Sequence, residues 1–272
     1  MNPRAALAWA TEVLAAAGVA SPEHDARVLA QHVLGVRRMS DVLLAEQLPE
    51  EAFRALITRR AAREPLQHLV GSVGFRWIEL EVGPGVFVPR PETELVVQAV
   101  LEELGEARDA LVVDLCTGSG VIPLSLAHEA PGTVLHAVEI DPGALEWARR
   151  NDPDGTVTWH LGPVEGCLPE LDGQVDVVVS NPPYVPLGSE IQREAGEHDP
   201  PVALWAGVDG LDVVRDVEAA ARRLLKPGGL VVVEHDDTQG ESAPEVFSGW
   251  AEVEDHADLT GRPRYVTARW TG

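Results

Sequence analysis

The segment Asp176-Val177-Val178-Val179-Ser180-Asn181-Pro182-Pro183-Tyr184 ends a β-branched run on one amide, two prolines and one aromatic ring. Val177-Val178-Val179 reads as a buried strand. Pro182 and Pro183 have no N–H to donate and continue neither a ladder nor a helix, so the strand stops there. Asn181 and Tyr184 are then presented at the strand's carboxyl end, where open α/β sheets hold their ligands. An amide, a stiff turn without donors and a flat ring suit the gripping of a planar nitrogen. Asn-Pro and Pro-Pro also mark ordinary strand-ending turns. Tyr184, however, is one of only two tyrosines in the chain, and a second constellation upstream gives the turn a ligand to face.

That constellation is Asp114-Leu115-Cys116-Thr117-Gly118-Ser119-Gly120, which follows an apolar strand and opens a helix. Strand, glycine turn and helix make a nucleotide-binding start. The run continues to Pro123, so the third glycine of the dinucleotide fingerprint is missing. No Gly-Lys-Ser/Thr is present, which excludes a phosphate-cradling P-loop. A compact turn without lysine suits a ligand without phosphate, and S-adenosylmethionine is such a ligand. Gly-x-Gly alone is weak, because plain helix–strand packing also uses it. Glu139 strengthens it: this acid ends the next strand, at roughly the 20-residue spacing at which a carboxylate accepts ribose hydroxyls.

The elements that must position these groups alternate. Strands are expected at Leu111–Leu115, Val134–Ile140, Val175–Ser180 and Leu230–Glu234. Helices are expected from the glycine turn to about His128, over Pro142–Arg150 and over Gly210–Leu225. Lys226-Pro227-Gly228-Gly229 reads as a turn. Alternation of this kind implies βαβ units and a mostly parallel, Rossmann-like sheet. Segments near Ala251–His256 and Arg264–Trp270 lie close enough in sequence to form an antiparallel edge. Residues 1–70 read instead as four short helices. The first is capped by Asn2 with Pro3 at its first position and closed by Gly18. The second is opened by Ser21-Pro22 and ended by Gly35. The third is capped by Ser40, and the fourth runs from Pro49 to about Arg63. Leu and Ala recur there at helical spacing, as in a small bundle, which is either a packing module or a recognition platform. Glycines punctuate residues 71–90, and the alternating segment from Phe75 to Val88 reads as a β-hairpin linker. Three regions are therefore expected: a helical domain over 1–70, a linker over 71–90 and a catalytic domain over 91–272.

Composition narrows the partners. The 272-residue chain carries a formal net charge of -23 and a single lysine, Lys226. That argues against a basic sheath on a phosphate backbone and so against direct nucleic-acid binding; a protein partner with a basic face fits better. The two cysteines, Cys116 and Cys167, form no Cys-x-x-Cys pair, so neither a metal site nor a disulfide framework is expected. A reducing cytoplasm is the plain reading. No apolar run reaches the roughly 18 residues of a membrane span. The apolar start after Arg4 is interrupted by Thr11 and Glu12, too early for a signal peptide.

Asn-Pro-Pro-Tyr after an apolar strand resembles the signature of methyltransferases that act on planar nitrogens: the exocyclic amines of adenine and cytosine, or the amide of glutamine. Glu64-Pro65-Leu66-Gln67-His68-Leu69, Phe87-Val88-Pro89-Arg90-Pro91-Glu92-Thr93-Glu94, Glu234-His235 and Asp258-Leu259-Thr260-Gly261 extend the resemblance to the HemK/PrmC family over essentially the whole chain. That family methylates the glutamine of the Gly-Gly-Gln motif in class I peptide chain release factors. The resemblance implies a class I fold with S-adenosylmethionine as methyl donor and S-adenosylhomocysteine as product. It further implies that the helical front end recognises substrate. Asn181, Pro182, Pro183 and Tyr184 are implied to hold and position the glutamine, with Arg90 beside them as a substrate contact. Asp114, Cys116, Thr117, Gly118, Ser119, Gly120, Glu139 and Asn181 are implied to surround the donor. The chain departs from the family at several places. Cys116 stands where a glycine is usual, Glu139 replaces the commoner Asp, and Asp236 replaces a frequent Gly. The acid–aromatic pair that frames adenine has its nearest match in Gly162-Pro163-Val164-Glu165, so Val164 and Glu165 are the expected contacts there. A sibling enzyme acting on a ribosomal-protein glutamine would share these motifs. A nucleic-acid amine methyltransferase would share only the tetrapeptide, and a silent scaffold would not need it intact.

Overall fold

The computed structural model describes residues 1–107 and 109–272. The described residues divide into two compact units. The first holds residues 1–72, 82–84 and 191–198. Helices α1 (Pro3–Ala16), α2 (Pro22–Leu34), α3 (Met39–Leu44), α4 (Glu50–Ala61) and α5 (Leu66–Val70) form it. Leu14, Leu29, Phe53 and Ile57 are fully buried at its centre. Asn2 caps α1 by accepting from the Arg4 and Ala5 amides, and Gly35 closes α2 in the left-handed conformation. Ser40 is not a cap: Arg38 holds that position and α3 begins at Met39, two residues earlier than a Ser40 cap requires, and the Ser40 hydroxyl donates to Asp41. The Asp25 carboxylate and the Arg60 guanidinium, both buried, meet at 2.6 Å and tie α2 to α4. α5 was not foreseen as a separate element.

A hairpin follows, β1 (Ser72–Phe75) and β2 (Ile78–Glu81), which lies in the second unit from Val73 onward. It is shorter and earlier than the expected Phe75–Val88 alternation, because the prolines and glycines from Pro84 onward leave nothing to continue a ladder. Helix α6 (Thr93–Leu104), absent from the sequence reading, precedes β3 (Leu111–Leu115). Then follow α7 (Val121–Glu129), β4 (Val134–Glu139), α8 (Pro142–Arg150), β5 (Val157–Leu161) and β6 (Val175–Ser180). α9 (Arg193–His198) belongs to the first unit. α10 (Asp212–Leu224), β7 (Leu225–Glu234), α11 (Ser242–Val246), β8 (Ala251–Ala257) and β9 (Pro263–Arg269) complete the chain. β5 is also an addition to the expected elements.

Seven strands form one sheet in the order β5-β4-β3-β6-β7-β9-β8. The first five are parallel, and β9 runs antiparallel to both of its neighbours. The expected turn at Lys226–Gly229 lies inside β7. Val175 pairs with Leu225 and Val177 with Leu230, so those four residues swell out of register as a bulge. One apolar layer, with Val214, Val217, Leu224 and Phe247, gathers around α10 and α11. The other, with Val96, Val97, Val100 and Leu126, gathers around α6 and α7. Helices cover both faces of the parallel strands, which is why those strands are apolar throughout. Chain order reverses between β3 and β6, and a doubly wound sheet opens its ligand crevice at such a point.

Candidate active site

Strand register brings the candidate residues to one edge. Leu115 pairs with Val138 on β4 and with Ser180 on β6; Ser180 pairs in turn with Val233 on β7. Cys116, Glu139, Asn181 and Glu234 therefore sit at four neighbouring strand ends. The Ser180 hydroxyl, fully buried, donates to the Leu115 carbonyl at 2.6 Å and locks the two central strands at the crevice.

After β3 the backbone turns through Cys116, Gly118 and Gly120, with φ of 64°, 58° and 83°. A Cβ on Gly120 would lie 2.8 Å from the Cη2 of Trp159 on β5, so glycine is required for α7 to start there. Cys116 holds a left-handed conformation with a side chain, a strain that glycine would not carry. Burial pushes its thiol pKa up, with Glu139 and Asp114 adding to the effect, so it is no thiolate nucleophile. Thr117 and Ser119 are buried within the turn.

Asp114 is 1% exposed, and neither of its oxygens makes a hydrogen bond of good geometry. Burial raises its pKa to about 8; the nearby Thr117 hydroxyl offsets part of this and Glu139 adds to it. Glu139 accepts from the Gly118 amide at 2.8 Å and the Asp141 amide at 2.9 Å, one on each oxygen. A carboxylate oxygen has a second lone pair, so both can still accept from a pair of hydroxyls. Burial raises the Glu139 pKa against those two amides.

Beyond β4 and β5 a cleft of about 340 Å³ is lined by Val138, His160, Gly162, Pro163, Glu165 and Leu168, among others. Glu165 faces it, whereas Val164 packs against the apolar layer of α10. The ring that reaches this cleft belongs to His160, which stacks on His136 with centroids 5.2 Å apart. Burial lowers both imidazole pKa values, so this is a neutral, flat surface.

The tetrapeptide leaves β6 at Asn181. The Asn181 Nδ2 donates to the Thr93 hydroxyl at 3.0 Å, and Thr93 donates to Glu234 Oε2 at 2.7 Å. Among the described residues, the Asn181 Oδ1 and the Pro182 carbonyl oxygen accept no hydrogen bond. Two acceptors are thus left open on adjacent residues. The Tyr184 hydroxyl approaches Glu234 Oε1 at 3.3 Å, and burial beside that acid raises its phenol pKa, so it stays protonated. The Tyr184 backbone is pinned from behind: Gln239 Nε2 donates to the Tyr184 carbonyl and to the Asp209 carbonyl, each at 3.1 Å. Val185 donates to Leu204 and accepts from Ala206, which holds the chain after the turn. Arg90 is engaged elsewhere, with Nη2 2.8 Å from Asp199 Oδ2 and its guanidinium over the Phe87 ring.

Sequence reasoning assigned no role to Thr93, Glu234 or Gln239. Glu234 did carry a signal: an acid that ends the apolar run Leu230–Val233 and is 1% exposed asks for a partner. Burial lifts its pKa to about 7, against the Thr93 hydrogen bond and the Arg264 charge.

Comparison with known proteins gives the family and the fold. Residues 5–71 match the model of the PrmC N-terminal domain, and residues 78–196 match that of the methyltransferase small domain. The chain is 50% identical to the release factor glutamine methyltransferase of Streptomyces coelicolor over 97% of each. It is 40% identical to that of Deinococcus radiodurans over the full length of both. Among solved structures, the catalytic domain of hMettl16 matches with a TM-score of 0.55 at 16% identity, covering 71% of this chain and 75% of that one. The Thermus thermophilus 16S rRNA methyltransferase RsmC in complex with AdoMet and guanosine matches at 0.54 and 20% identity, covering 73% of this chain and 49% of that one. These two likenesses show the class I methyltransferase fold. With full-length identity of this order beneath the site, the chain belongs to the family of release factor glutamine methyltransferases.

Proposed function

We propose that this chain transfers a methyl group from S-adenosylmethionine to the side-chain amide nitrogen of the glutamine in the Gly-Gly-Gln motif of class I release factors. The observation that carries the chemistry is the pair of open acceptors, Asn181 Oδ1 and the Pro182 carbonyl, beside the Tyr184 ring. A glutamine amide nitrogen is a poor nucleophile because its lone pair is delocalised into the carbonyl. The two acceptors take its two N–H bonds, hold it in line and stabilise the positive charge that develops on it. Tyr184, kept neutral, stacks on the amide plane and adds cation–π attraction as charge grows. Pro183 stiffens the turn between them.

The residues also fit the donor. Asp114 has two buried, unpaired oxygens suited to an ammonium group. Glu139 has acceptor capacity for two ribose hydroxyls. The cleft at His160 and Glu165 suits a flat heterocycle, and the loop contains no lysine that would call for a phosphate. When bound, the donor supplies an electrophilic methyl group on a sulfonium. The substrate nitrogen, held by Asn181 Oδ1 and the Pro182 carbonyl, would attack that carbon as its bond to sulfur breaks; the bonding pair would stay with sulfur and the nitrogen's proton would then pass to solvent. Burial keeps the Cys116 thiol and the Tyr184 phenol protonated, so neither of these two acts as nucleophile or base.

The helical unit is the proposed docking element for the release factor, and a net charge of -23 suits a partner with a basic face. No helix among the described residues is long and apolar enough to cross a membrane, and both cysteines are free, which supports a cytoplasmic setting. The test is direct. The protein and labelled donor are incubated with release factor, its Gln→Ala variant, a ribosomal-protein substrate and DNA. Label on wild-type release factor alone is expected; label on DNA overturns the reading. Asn181→Ala is expected to abolish turnover while donor affinity stays within about tenfold, or about 1.4 kcal/mol. Near-normal methylation by that variant overturns the assignment of the acceptor site.

A further inference from the structure

We infer that Thr93 and Glu234 are positioning residues that set which end of the Asn181 amide faces the substrate. This rests on the acceptor role proposed above for Asn181. An asparagine side chain offers an acceptor oxygen and a donor NH2 of nearly the same shape. Only the oxygen can receive an N–H from a glutamine amide; the NH2 group would confront donor with donor. What decides the orientation is the direction of the one side-chain hydrogen bond that the Asn181 amide makes among the described residues.

That group is the Thr93 hydroxyl, 1% exposed, at the first turn of α6. It lies 2.7 Å from Glu234 Oε2 and 3.0 Å from Asn181 Nδ2. A hydroxyl has one proton to give. A Glu234 carboxylate can only accept, so it takes that proton, and Thr93 is left as an acceptor toward Asn181. The amide must then turn its NH2 to Thr93 and leave Oδ1 open. Protonation of Glu234 reverses the direction of the chain. Its O–H donates to Thr93, the Thr93 proton becomes available to Asn181 Oδ1, and the amide is free to turn over.

The surroundings of Glu234 make this a switch. α6 brings Thr93, the residue before it brings the charge of Glu92, the tetrapeptide brings the Tyr184 hydroxyl at 3.3 Å, and β9 brings the positive charge of Arg264. The Arg264 guanidinium makes its ion pair with Asp258, not with Glu234. On its own strand, His235 is turned to Asp255 and to the Asp236 carbonyl. Glu234 is therefore a buried acid held by hydroxyls, and burial brings its titration close to neutral pH, at about 7. A site that needed only packing would not keep a carboxylate there.

Turnover is measured against pH in wild type, Thr93→Val, Thr93→Ser and Glu234→Gln, with donor affinity and Tm recorded alongside. Wild-type kcat is expected to fall about tenfold from pH 8 to pH 6, following the ionised fraction of Glu234. Thr93→Val keeps the shape but cuts the relay. Its kcat at pH 8 is expected to drop about tenfold or more, with unchanged donor affinity and no acid limb. Thr93→Ser restores both rate and limb, and Glu234→Gln loses the limb. An acid limb that survives in Glu234→Gln, or wild-type rate and limb in Thr93→Val, overturns the inference. The 15N–1H resonances of the Asn181 side chain read the same equilibrium without substrate. They are expected to shift with a midpoint near pH 7 in wild type and to stay flat in Glu234→Gln. The wild-type titration needs neither a variant nor turnover, so it stands even if a variant misfolds or release factor proves not to be the substrate; a flat wild-type titration overturns the inference by itself.

Discussion

Asp114 predicts a proton linkage that reverses sign. Its carboxyl is buried at the end of β3 without a good hydrogen bond, and its pKa stands at about 8. At pH 7 the free protein therefore holds it protonated about ten to one. The proposed partner is the α-amino group of the donor, which itself titrates at about 8. The pair binds best as carboxylate with ammonium, because a buried charge needs a partner. At pH 6 about one encounter in a hundred has both groups in that form, and at pH 8 about one in four. Affinity should thus rise about 25-fold from pH 6 to pH 8 and fall again toward pH 10. Below pH 8 binding releases a proton from Asp114; above it, binding takes one up onto the amine. Titration calorimetry in two buffers of different ionisation heat measures both. Asp114→Asn is expected to bind more weakly by about tenfold or more and to lose the release while keeping the uptake. The unliganded protein supplies a second sign. A carboxyl raised in the folded state contributes stability that is fully present below its unfolded pKa and is lost as pH climbs through about 8. Wild-type Tm should therefore decline from pH 7 to pH 9 more steeply than that of Asp114→Asn. No proton release at pH 7, or equal slopes in Tm, would refute the reasoning.

Cys116→Gly relieves a side chain from a left-handed backbone at φ 64° and is expected to stabilise the protein by about 1 kcal/mol in thermal melts. A lower Tm would mean that the thiol's packing outweighs the strain. Gly210→Ala acts on the acceptor site from behind. Its Cβ would drive into the Tyr184 carbonyl oxygen and lie 2.7 Å from Gln239 Nε2. Because that carbonyl anchors the turn, kcat should fall with donor affinity retained, and stability should drop by about 1–3 kcal/mol in denaturant titration.

Local signals and long-range pairing divided what could be read in advance. β3, α8 and β6 match their expected limits, because β-branched runs buried on both faces and an Asp141–Pro142 helix start announce themselves within a few residues. α6 begins behind Glu92, which makes no side-chain cap, and its start lies against the prolines that drew attention to the segment. Its apolar positions Val96, Val97, Val100 and Leu104 do carry the helical spacing. β5 lacks an apolar run because it is an edge strand: Thr158, Trp159 and His160 interrupt it.

The candidate site divides along the same line. Asn181 and the Gly118–Gly120 turn were legible because each is a local break in a local pattern. The partners that orient Asn181 were not. Thr93 lies 88 residues before it, and Glu234 lies 141 residues beyond Thr93. No local period links such positions; β6 and β7 must first pair and α6 must dock before they meet. This difference has chemical content. A tetrapeptide can specify which atoms are available to a substrate nitrogen, but an asparagine alone does not specify whether oxygen or nitrogen is presented. In this fold that choice belongs to a hydroxyl on one helix and a buried acid on another strand. The acceptor site is therefore complete only when the sheet is closed.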